Sequence, residues 1–400
     1  MSDLNTTKRL SVLHVGKFYP PHKGGMETHL EQLCSSLQQH FDVTVVVAND
    51  SRFRAVDKIN EGGVRVVRTG TLATLASAPI CPGLVNEIRR TPADIIHIHH
   101  PNPLAFLAYL LSGHRGKLVV TYHSDIVRQK WLRFGVSPLV RRVLHRSEAI
   151  IVTSPDFANC SRMLSTIQNQ CRIIPLGVDV KLFESADQAE VDAIRKQYGP
   201  KIVLAVGRLV YYKGFEYLIR AMKEIEGSLL LVGTGPLDEK LRQEVLQSSL
   251  QNRVFLLGEV PDLRPYYHAA DVFVLPSVHE SEAFGFVQLE AMACGKPVIN
   301  TNLPSGVPFV SKDGLTGLSV PPGDVGALAA AMNLLLGNSV LRAQYGAAAK
   351  VRASREFSLD LMVERTVNLY HDLLGEPCRV GAHELAVPDD ARSAAVGNLP

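Results

Sequence analysis

The sequence predicts an α/β protein of two Rossmann-like halves, each built on a parallel sheet, whose strand ends face one another across a cleft. Three observations predict it. Short uncharged β-branched runs alternate with helical patterns from near the start, as they do where strands are covered on both faces. The alternation pauses over residues 183 to 200 and then resumes with the same rhythm. A length of 400 residues also exceeds what one hydrophobic core usually organises.

In chain order, the first half reads as strands "LSVLHVG", "DVTVVVAN", "ADIIHIHH", "KLVVTYH" and "EAIIVTS", with the helix "GMETHLEQLCSSLQQ" after the first strand. The polar stretch "FESADQAEVDAIRKQYGP" ends in Gly-Pro and reads as a connector. The second half reads as strands "KIVLAVGR", "SLLLVGTG", "RVFLLGEV", "DVFVLPS" and "PVINTN", with helices "GFEYLIRAMKEI", "PLDEKLRQEVLQSSL" and "AFGFVQLEAMACG" between them. The last stretch, "EPCRVGAHELAVPDDARSAAVGNLP", has no period and is expected to be a loose tail.

Composition narrows the function classes. Hydrophobic residues are 46% of the chain and charged residues 20%, which describes a globular protein and not a disordered one. The net charge of +3 gives no global field for nucleic acid. Six cysteines, Cys34, Cys81, Cys160, Cys171, Cys294 and Cys378, are scattered without a Cys-x-x-Cys pair, as reduced thiols in a cytoplasm would be. The polar start "MSDLNTTKRL" and the early break at His14 and Gly16 do not form a secretion signal. The longest uncharged apolar run, "PLAFLAYLLSG", falls short of the ~20 residues of a membrane span. A cytoplasmic location is expected, with any membrane association peripheral.

Ligands of open α/β sheets sit beyond the carboxyl ends of the strands. That draws attention to Gly24, Gly25, His123, Ser154, Arg208, Gly233, Gly235, Ser277 and Glu282. Gly24 and Gly25 precede a helix whose first N–H groups favour a phosphate, although such a pair is often only a turn. Arg208 and Lys213 follow a strand end and can both reach one diphosphate; equally, they can be two solvated charges. Gly233 and Gly235 make a Gly-x-Gly turn, but Asp238 stands where a third glycine would complete a dinucleotide fingerprint.

Two acids, Glu282 and Glu290, bracket "AFGFVQL". Along a regular helix their spacing would be ~12 Å, too long for an acid and base pair acting on one glycosidic oxygen but suited to two ends of an elongated ligand. The apolar surroundings of Glu290 favour an inward orientation, where a carboxylate needs partners. A solvated helix acid is the plainer alternative.

"EAFGFVQLEAMACGKPVI", with its Glu-x7-Glu pair, resembles the signature of retaining glycosyltransferases of family 4, which have the GT-B fold. "FYPPHKGGMETHL", "DIIHIHHP", "TYHSD", "IIPLGVD", "AVGRLVYYKG", "VGTGPL" and "FLLGEV" follow in the family's order over roughly residues 10 to 375. The resemblance implies that Arg208 and Lys213 bind the donor diphosphate and stabilise the departing nucleotide. It implies that Glu282 contacts hydroxyls of the transferred sugar and Glu290 those of the ribose. Backbone amides around Phe284, Gly285 and Phe286 would add to donor binding, His123 would lie beside the donor sugar, and Gly24 and Gly25 would close over the diphosphate. Gly233, Gly235 and Val260, the last residue of "FLLGEV", complete the implied donor site. The expected domains are residues 1–190 for the acceptor, rejoined by a helix at about 357–375, and residues 191–356 for the donor, with 376–400 as the tail.

The implied reaction moves a hexose from a nucleotide-diphospho-sugar to a saccharide or lipid-linked acceptor in cell-surface polysaccharide or glycolipid synthesis. It retains configuration by a front-face route, without a covalent nucleophile, cofactor or metal. The chain contains no Asp-x-Asp. The segment "NTNLPSGVPFVS" is similar to bacterial mannosyl-type enzymes. It departs from the family's usual Gly-Gly-x-Pro-Glu, with Ser305 at a glycine and Phe309 at the glutamate. Glu280 is an additional acid.

His97, His99 and His100 raise the question of zinc, since alternate strand residues share a face; with no other ligand type nearby, packing and hydrogen bonding are the expected role. Between Arg128 and Arg146 lie six Lys or Arg and no acid. There "SPLVRRVLHRS" reads as a helix with Ser137 as N-cap and Pro138 at its first position. With Trp131 upstream it could meet an anionic membrane surface, or be a core-facing helix with a solvated basic side. Two other classes stay open: a nucleotide-sugar epimerase or hydrolase of the same fold, and a nicotinamide-dependent oxidoreductase, against which the missing fingerprint counts.

Overall fold

A computed structural model of the protein describes residues 9–22, 24–49, 56–59, 63–75, 78–125 and 130–376, with the backbone alone for 56–59 and 130–135. The expected tail beyond Glu376, together with Arg128 and Lys23, lies outside the described residues.

The first half carries strands β1 (Ser11–Val15), β2 (Asp42–Ala48), β3 (Val56–Ile59), β4 (Arg65–Thr69), β5 (Ala73–Leu75), β6 (Ala78–Ile80), β7 (Ile95–His100), β8 (Lys117–Tyr122), β9 (Ala149–Val152) and β10 (Cys171–Ile173). Its helices are α1 (Gly25–Leu37), α2 (Leu84–Arg90), α3 (Pro103–Ser112), α4 (Lys130–Arg146) and α5 (Pro155–Cys160). Eight strands form one sheet in the order β10-β9-β8-β7-β1-β2-β4-β3, and β5 pairs only with β6. All pairs in the large sheet are parallel except β3 with β4. The link from Ile59 to Arg65 is too short for the crossover that a parallel pair needs.

The second half begins with α6 (Val180–Phe183) and α7 (Gln188–Tyr198) and continues with strands β11 (Ile202–Val206), β12 (Ser228–Val232), β13 (Val254–Gly258), β14 (Val272–Val274), β15 (Val298–Thr301) and β16 (Gly317–Val320). Between and after them run helices α8 (Phe215–Ala221), α9 (Asp238–Gln247), α10 (Arg264–Ala269), α11 (Val287–Ala293), α12 (Val307–Val310), α13 (Val325–Gly337), α14 (Ser339–Glu356) and α15 (Leu359–Leu374). Its six strands are all parallel, in the order β13-β12-β11-β14-β15-β16. In both sheets the first strand of the half lies where the strand order reverses direction, the position at which such sheets open a crevice.

Strands β7 and β11 are buried at every position; β11 accordingly reads as an unbroken apolar run, while β7 buries three histidines among its isoleucines. Each sheet has a core on either face: Leu13, Ile96 and Val120 against α3 and α4 on one side of the first sheet, and Val12, Val45 and Leu30 on the other. Helix α15 supplies Met362, Val363, Val367 and Tyr370 to that second core, although it follows α14, which packs on the other half. The chain returns at a bridge between Val178 and Ser358. Among the described residues no single helix is long and apolar enough to cross a membrane.

Two expectations change. The polar connector contains the helix α7, capped by Asp187 through Ala189 N–H at 2.8 Å, with Val191 and Ile194 buried in a core of the second half. Its amphipathic stripe is narrow, so its charged face dominated the reading. Helix α4 does not begin at Ser137; it starts at Lys130 and contains Pro138 in its interior. A Ser-Pro step marks a probable boundary only, since proline removes a single backbone donor from a helix that neighbouring packing sustains.

Candidate active site

Beyond β11 the chain turns at Gly207 and Arg208, the latter exposed, before the single turn Tyr211–Lys213. Lys213 folds back over Gly207, where an added Cβ would lie 3.2 Å from its Cε and 3.3 Å from its Nζ. The ammonium is buried and meets the Glu282 carboxylate, also buried, at 2.6 Å. Burial of either charge alone would be costly, so the two hold one another. The Ser277 hydroxyl donates to the same Glu282 oxygen at 3.1 Å, and the Ser277 carbonyl accepts from Thr301 Oγ1 at 2.6 Å. The ends of β11, β14 and β15 are thereby tied to one ion pair.

Glu290 stands in the first turn of α11. It accepts a hydrogen bond from the Tyr267 hydroxyl of α10 at 2.6 Å. Burial raises its pKa to about 7, against the opposing effects of the Tyr267 hydrogen bond and the Lys213 charge. The ~12 Å expected for the two acids assumed a regular helix between them, whereas α11 starts only at Val287 and Gly285 has φ +74°. Both carboxylates therefore act on one lysine, Glu282 by contact and Glu290 through its field.

The N–H groups of Phe284, Gly285 and Phe286 engage no backbone carbonyl among the described residues, so they are available at the start of α11. The Phe284 ring itself points into the core of the second half that holds Val191 and Ile194, edge-on to Phe357 at 6.2 Å. At Gly233 a Cβ would lie 2.1 Å from the Gly207 carbonyl oxygen. Only glycine lets those two strand-end turns cross so closely, which explains the Gly-x-Gly turn better than a dinucleotide fingerprint does. A Cβ on Gly235 would lie 2.5 Å from the Leu209 carbonyl oxygen, and Val260, just past β13, packs on the same core of the second half as Phe284. Phe309, at the family's glutamate position, lies against the Phe357 ring and under the Arg352 guanidinium; Ser305 is buried and Glu280 exposed.

In the first half, Gly24 is extended and precedes α1 without a side-chain cap, and a Cβ on it would meet Glu27 Oε2 at 2.3 Å. Nothing lies within 4 Å of a Cβ on Gly25. Lys17, in the loop after β1, has its pKa lowered by burial, with Glu27 opposing the shift and Arg208 adding to it. A cation of each half thus feels the other across the crevice, an arrangement an anion between them would relieve. Gly306 of the second half leaves room for the Ser154 hydroxyl of the first, since a Cβ there would lie 3.1 Å from it and 2.6 Å from the Ala283 carbonyl oxygen.

His123, just past β8, is buried within a cluster that includes His14, His29, His97 and His99. Further imidazoles, though no other ligand type among the described residues, stand near His97 and His99: His14 comes from β1, His29 from α1 and His123 from the turn after β8. The sets His14, His97, His99 and His29, His99, His123 each bring nitrogens within 4.8 Å of one another. His100 points to the opposite face, stacked between Phe106 and Tyr122, and neither of its nitrogens has a partner among the described residues.

Sequence reasoning singled out Arg208, Lys213, Glu282 and Glu290, and the structure gathers them. It missed Lys17, Glu27, Tyr267 and the imidazole partners of His123. These residues lie on separate strands and helices, so no local spacing marks them.

Two family models account for most of the chain: Glycosyltransferase Family 4 over residues 23–182 and Glycosyl transferases group 1 over residues 187–352. The O-antigen chain mannosyltransferase C of Escherichia coli is 32% identical over 91% of this chain and 99% of its own length. The D-rhamnosyltransferase WbpZ of Pseudomonas aeruginosa is 32% identical over 87% of this chain and 92% of its own. Among solved structures, sucrose-phosphate synthase from Thermosynechococcus elongatus superposes with a TM-score of 0.79 at 26% identity, over 92% of this chain and 100% of that one.

Proposed function

This chain belongs to the glycosyltransferases of group 1 and family 4, and from that premise we propose that it transfers a hexose, with retention, from a nucleotide-diphospho-sugar bound between its halves. The relatives' names, an O-antigen mannosyltransferase and a rhamnosyltransferase, favour a GDP-linked mannose-type donor and a saccharide or lipid-linked acceptor in surface polysaccharide or glycolipid synthesis. The observation that carries the reading is the buried Lys213–Glu282 pair at 2.6 Å, with Glu290 beside it and Arg208 facing Lys17.

As the bond from the anomeric carbon to the phosphate oxygen breaks, its electron pair leaves on the diphosphate. Lys213 and Arg208, with Lys17 from the other side, stabilise that growing charge where it develops. The leaving phosphate oxygen takes the proton of the acceptor hydroxyl, whose oxygen bonds to the anomeric carbon on the same face. Glu282 keeps Lys213 in place while its other oxygen is open to a sugar hydroxyl, and Glu290 accepts from the ribose. This chemistry asks for no divalent metal, so turnover should survive EDTA.

The acceptor side uses the basic face of α4. Arg141, Arg142, His145 and Arg146 are exposed while Val140, Val143 and Leu144 are buried. Contact with an anionic membrane would therefore be electrostatic. The remaining part of that region, Arg128 and the Trp131 side chain, lies outside the described residues and side chains.

The test is thermal melting with GDP-mannose, UDP-hexoses and UDP-N-acetylhexosamines. We expect GDP-mannose to raise the midpoint most; no shift with any nucleotide sugar at millimolar concentration would reject the donor site.

A further inference from the structure

His123 is linked to α15 through a line of hydrogen bonds that crosses the first sheet. His99 Nδ1 faces His123 Nε2 at 3.3 Å, and His99 Nε2 faces His14 Nδ1 at 3.1 Å. His14 Nε2 faces the Tyr370 hydroxyl at 3.5 Å, the longest link. The same hydroxyl meets His97 Nδ1 at 2.6 Å, and His97 Nε2 meets Thr121 Oγ1 at 2.6 Å. All of these groups are buried.

Burial holds each of these imidazoles below the ordinary histidine range, and the charges that add to it are the neighbouring imidazoles. The rings are accordingly neutral at pH 7, with one N–H each, and the tautomer is set by the partner at the other nitrogen. Every link can hold only one hydrogen. If His97 Nδ1–H donates to the Tyr370 oxygen, the Tyr370 hydroxyl donates to His14 Nε2, His14 Nδ1–H to His99 Nε2, and His99 Nδ1–H to His123 Nε2. That leaves His123 with its hydrogen on Nδ1, while Thr121 donates to His97 Nε2. Reversal of any one link reverses them all, placing every hydrogen on Nε2 and leaving His123 Nδ1 as a bare acceptor. A mixed arrangement would put two hydrogens or none in a buried contact, or have the Tyr370 oxygen accept from both rings and leave its own hydrogen without an acceptor; each costs a desolvated polar group.

We propose that Tyr370, His97, His14 and His99 are positioning residues that lock His123 into the same tautomer as the other three rings, so that its Nδ1–H points to the donor as a hydrogen-bond donor. The role given to the Nδ1–H rests on the proposed donor site; the common tautomer does not. His29 is not in the line: its ring stands edge-on to His123 at 5.1 Å and its Nε2 has no partner among the described residues. A metal ion is the rival occupant, but it would replace the shared hydrogens with a buried positive charge that no carboxylate joins in ligating among the described residues.

Imidazole 15N spectra of the full-length protein report which nitrogen carries hydrogen in each ring. In the ligand-free protein, His14, His97, His99 and His123 should be protonated at one common nitrogen, and with GDP-mannose that nitrogen should be Nδ1. Different tautomers among the four rings, or one equivalent of zinc in the purified protein, would overturn the inference while leaving the glycosyltransferase reading untouched. A common tautomer with no response to GDP-mannose would instead count against the donor site. Tyr370→Phe keeps the ring and should free His97 from the other three, lowering kcat about tenfold, the size of one lost neutral hydrogen bond, with the donor KM unchanged. Unchanged kcat in a folded Tyr370→Phe protein would show that the line does not reach the reaction. Should the variant not fold, the wild-type spectrum still decides.

Discussion

Lys213 carries a structural task and a chemical one, and substitutions can separate them. Lys213→Ala should lower turnover by ~10²–10³, the usual loss for removing one transition-state charge partner. It should also destabilise the protein by ~3–5 kcal/mol, because Glu282 would remain buried without its partner. Adding Glu282→Gln should restore most of the stability, read by urea unfolding, and none of the turnover; recovery of both would refute the assigned role. Glu290 predicts a pH dependence. Its folded pKa, about 7, is raised, so the folded protein keeps a proton that the unfolded chain releases from about pH 4.5. From this group, stability falls as pH rises through the window from about 4.5 to 7. Ribose binding needs the carboxylate, so nucleotide affinity should strengthen as pH rises through 7, and Glu290→Gln should flatten that slope in calorimetric titrations.

At the scale of elements, α4 shows how a helix can be legible in composition and misleading in boundary. Arg141, Arg142 and Arg146 face solvent and Val140, Val143 and Leu144 face the core, as the sequence allowed, yet its start was misplaced by a Ser-Pro step inside it. Arg141→Ser with Arg142→Ser should weaken binding to anionic vesicles by about 1 kcal/mol per charge, with the remainder screened by salt. Equal sedimentation of variant and parent with phosphatidylglycerol vesicles would remove α4 from the acceptor side. The helix α7 was hidden for the opposite reason. Two buried residues, Val191 and Ile194, anchor it among many charged ones, too few for a periodicity to stand out. Strand β11 was plain because burial on both faces leaves it no polar position, and β7 because its isoleucines and uncharged histidines carry no charge to break the run.

For the whole molecule, the two halves are joined by α15 as well as by the chain between them. Its residues complete one core of the first half, and its Tyr370 reaches the histidines behind the cleft. A donor held by both halves binds only the folded protein, so saturation at 100 times Kd should add ~2.7 kcal/mol and raise the melting midpoint with ligand concentration. A midpoint that does not follow GDP-mannose concentration while UDP-glucose raises it would reassign the donor.

By itself the sequence determined the α/β class, the two halves and the family, and it singled out Arg208, Lys213 and Glu282 beyond strand ends and Glu290 on the helix that follows. These are properties of local period and spacing, which a linear chain displays directly. The tertiary structure alone decided that Glu282 meets Lys213 by contact while Glu290 feels its charge, that Lys17 opposes Arg208, and that Tyr370 joins His123 through two other rings, His14 and His99. Hydrogen bonds and charges act over a few ångströms in space, and only folding brings together residues that stand hundreds of positions apart.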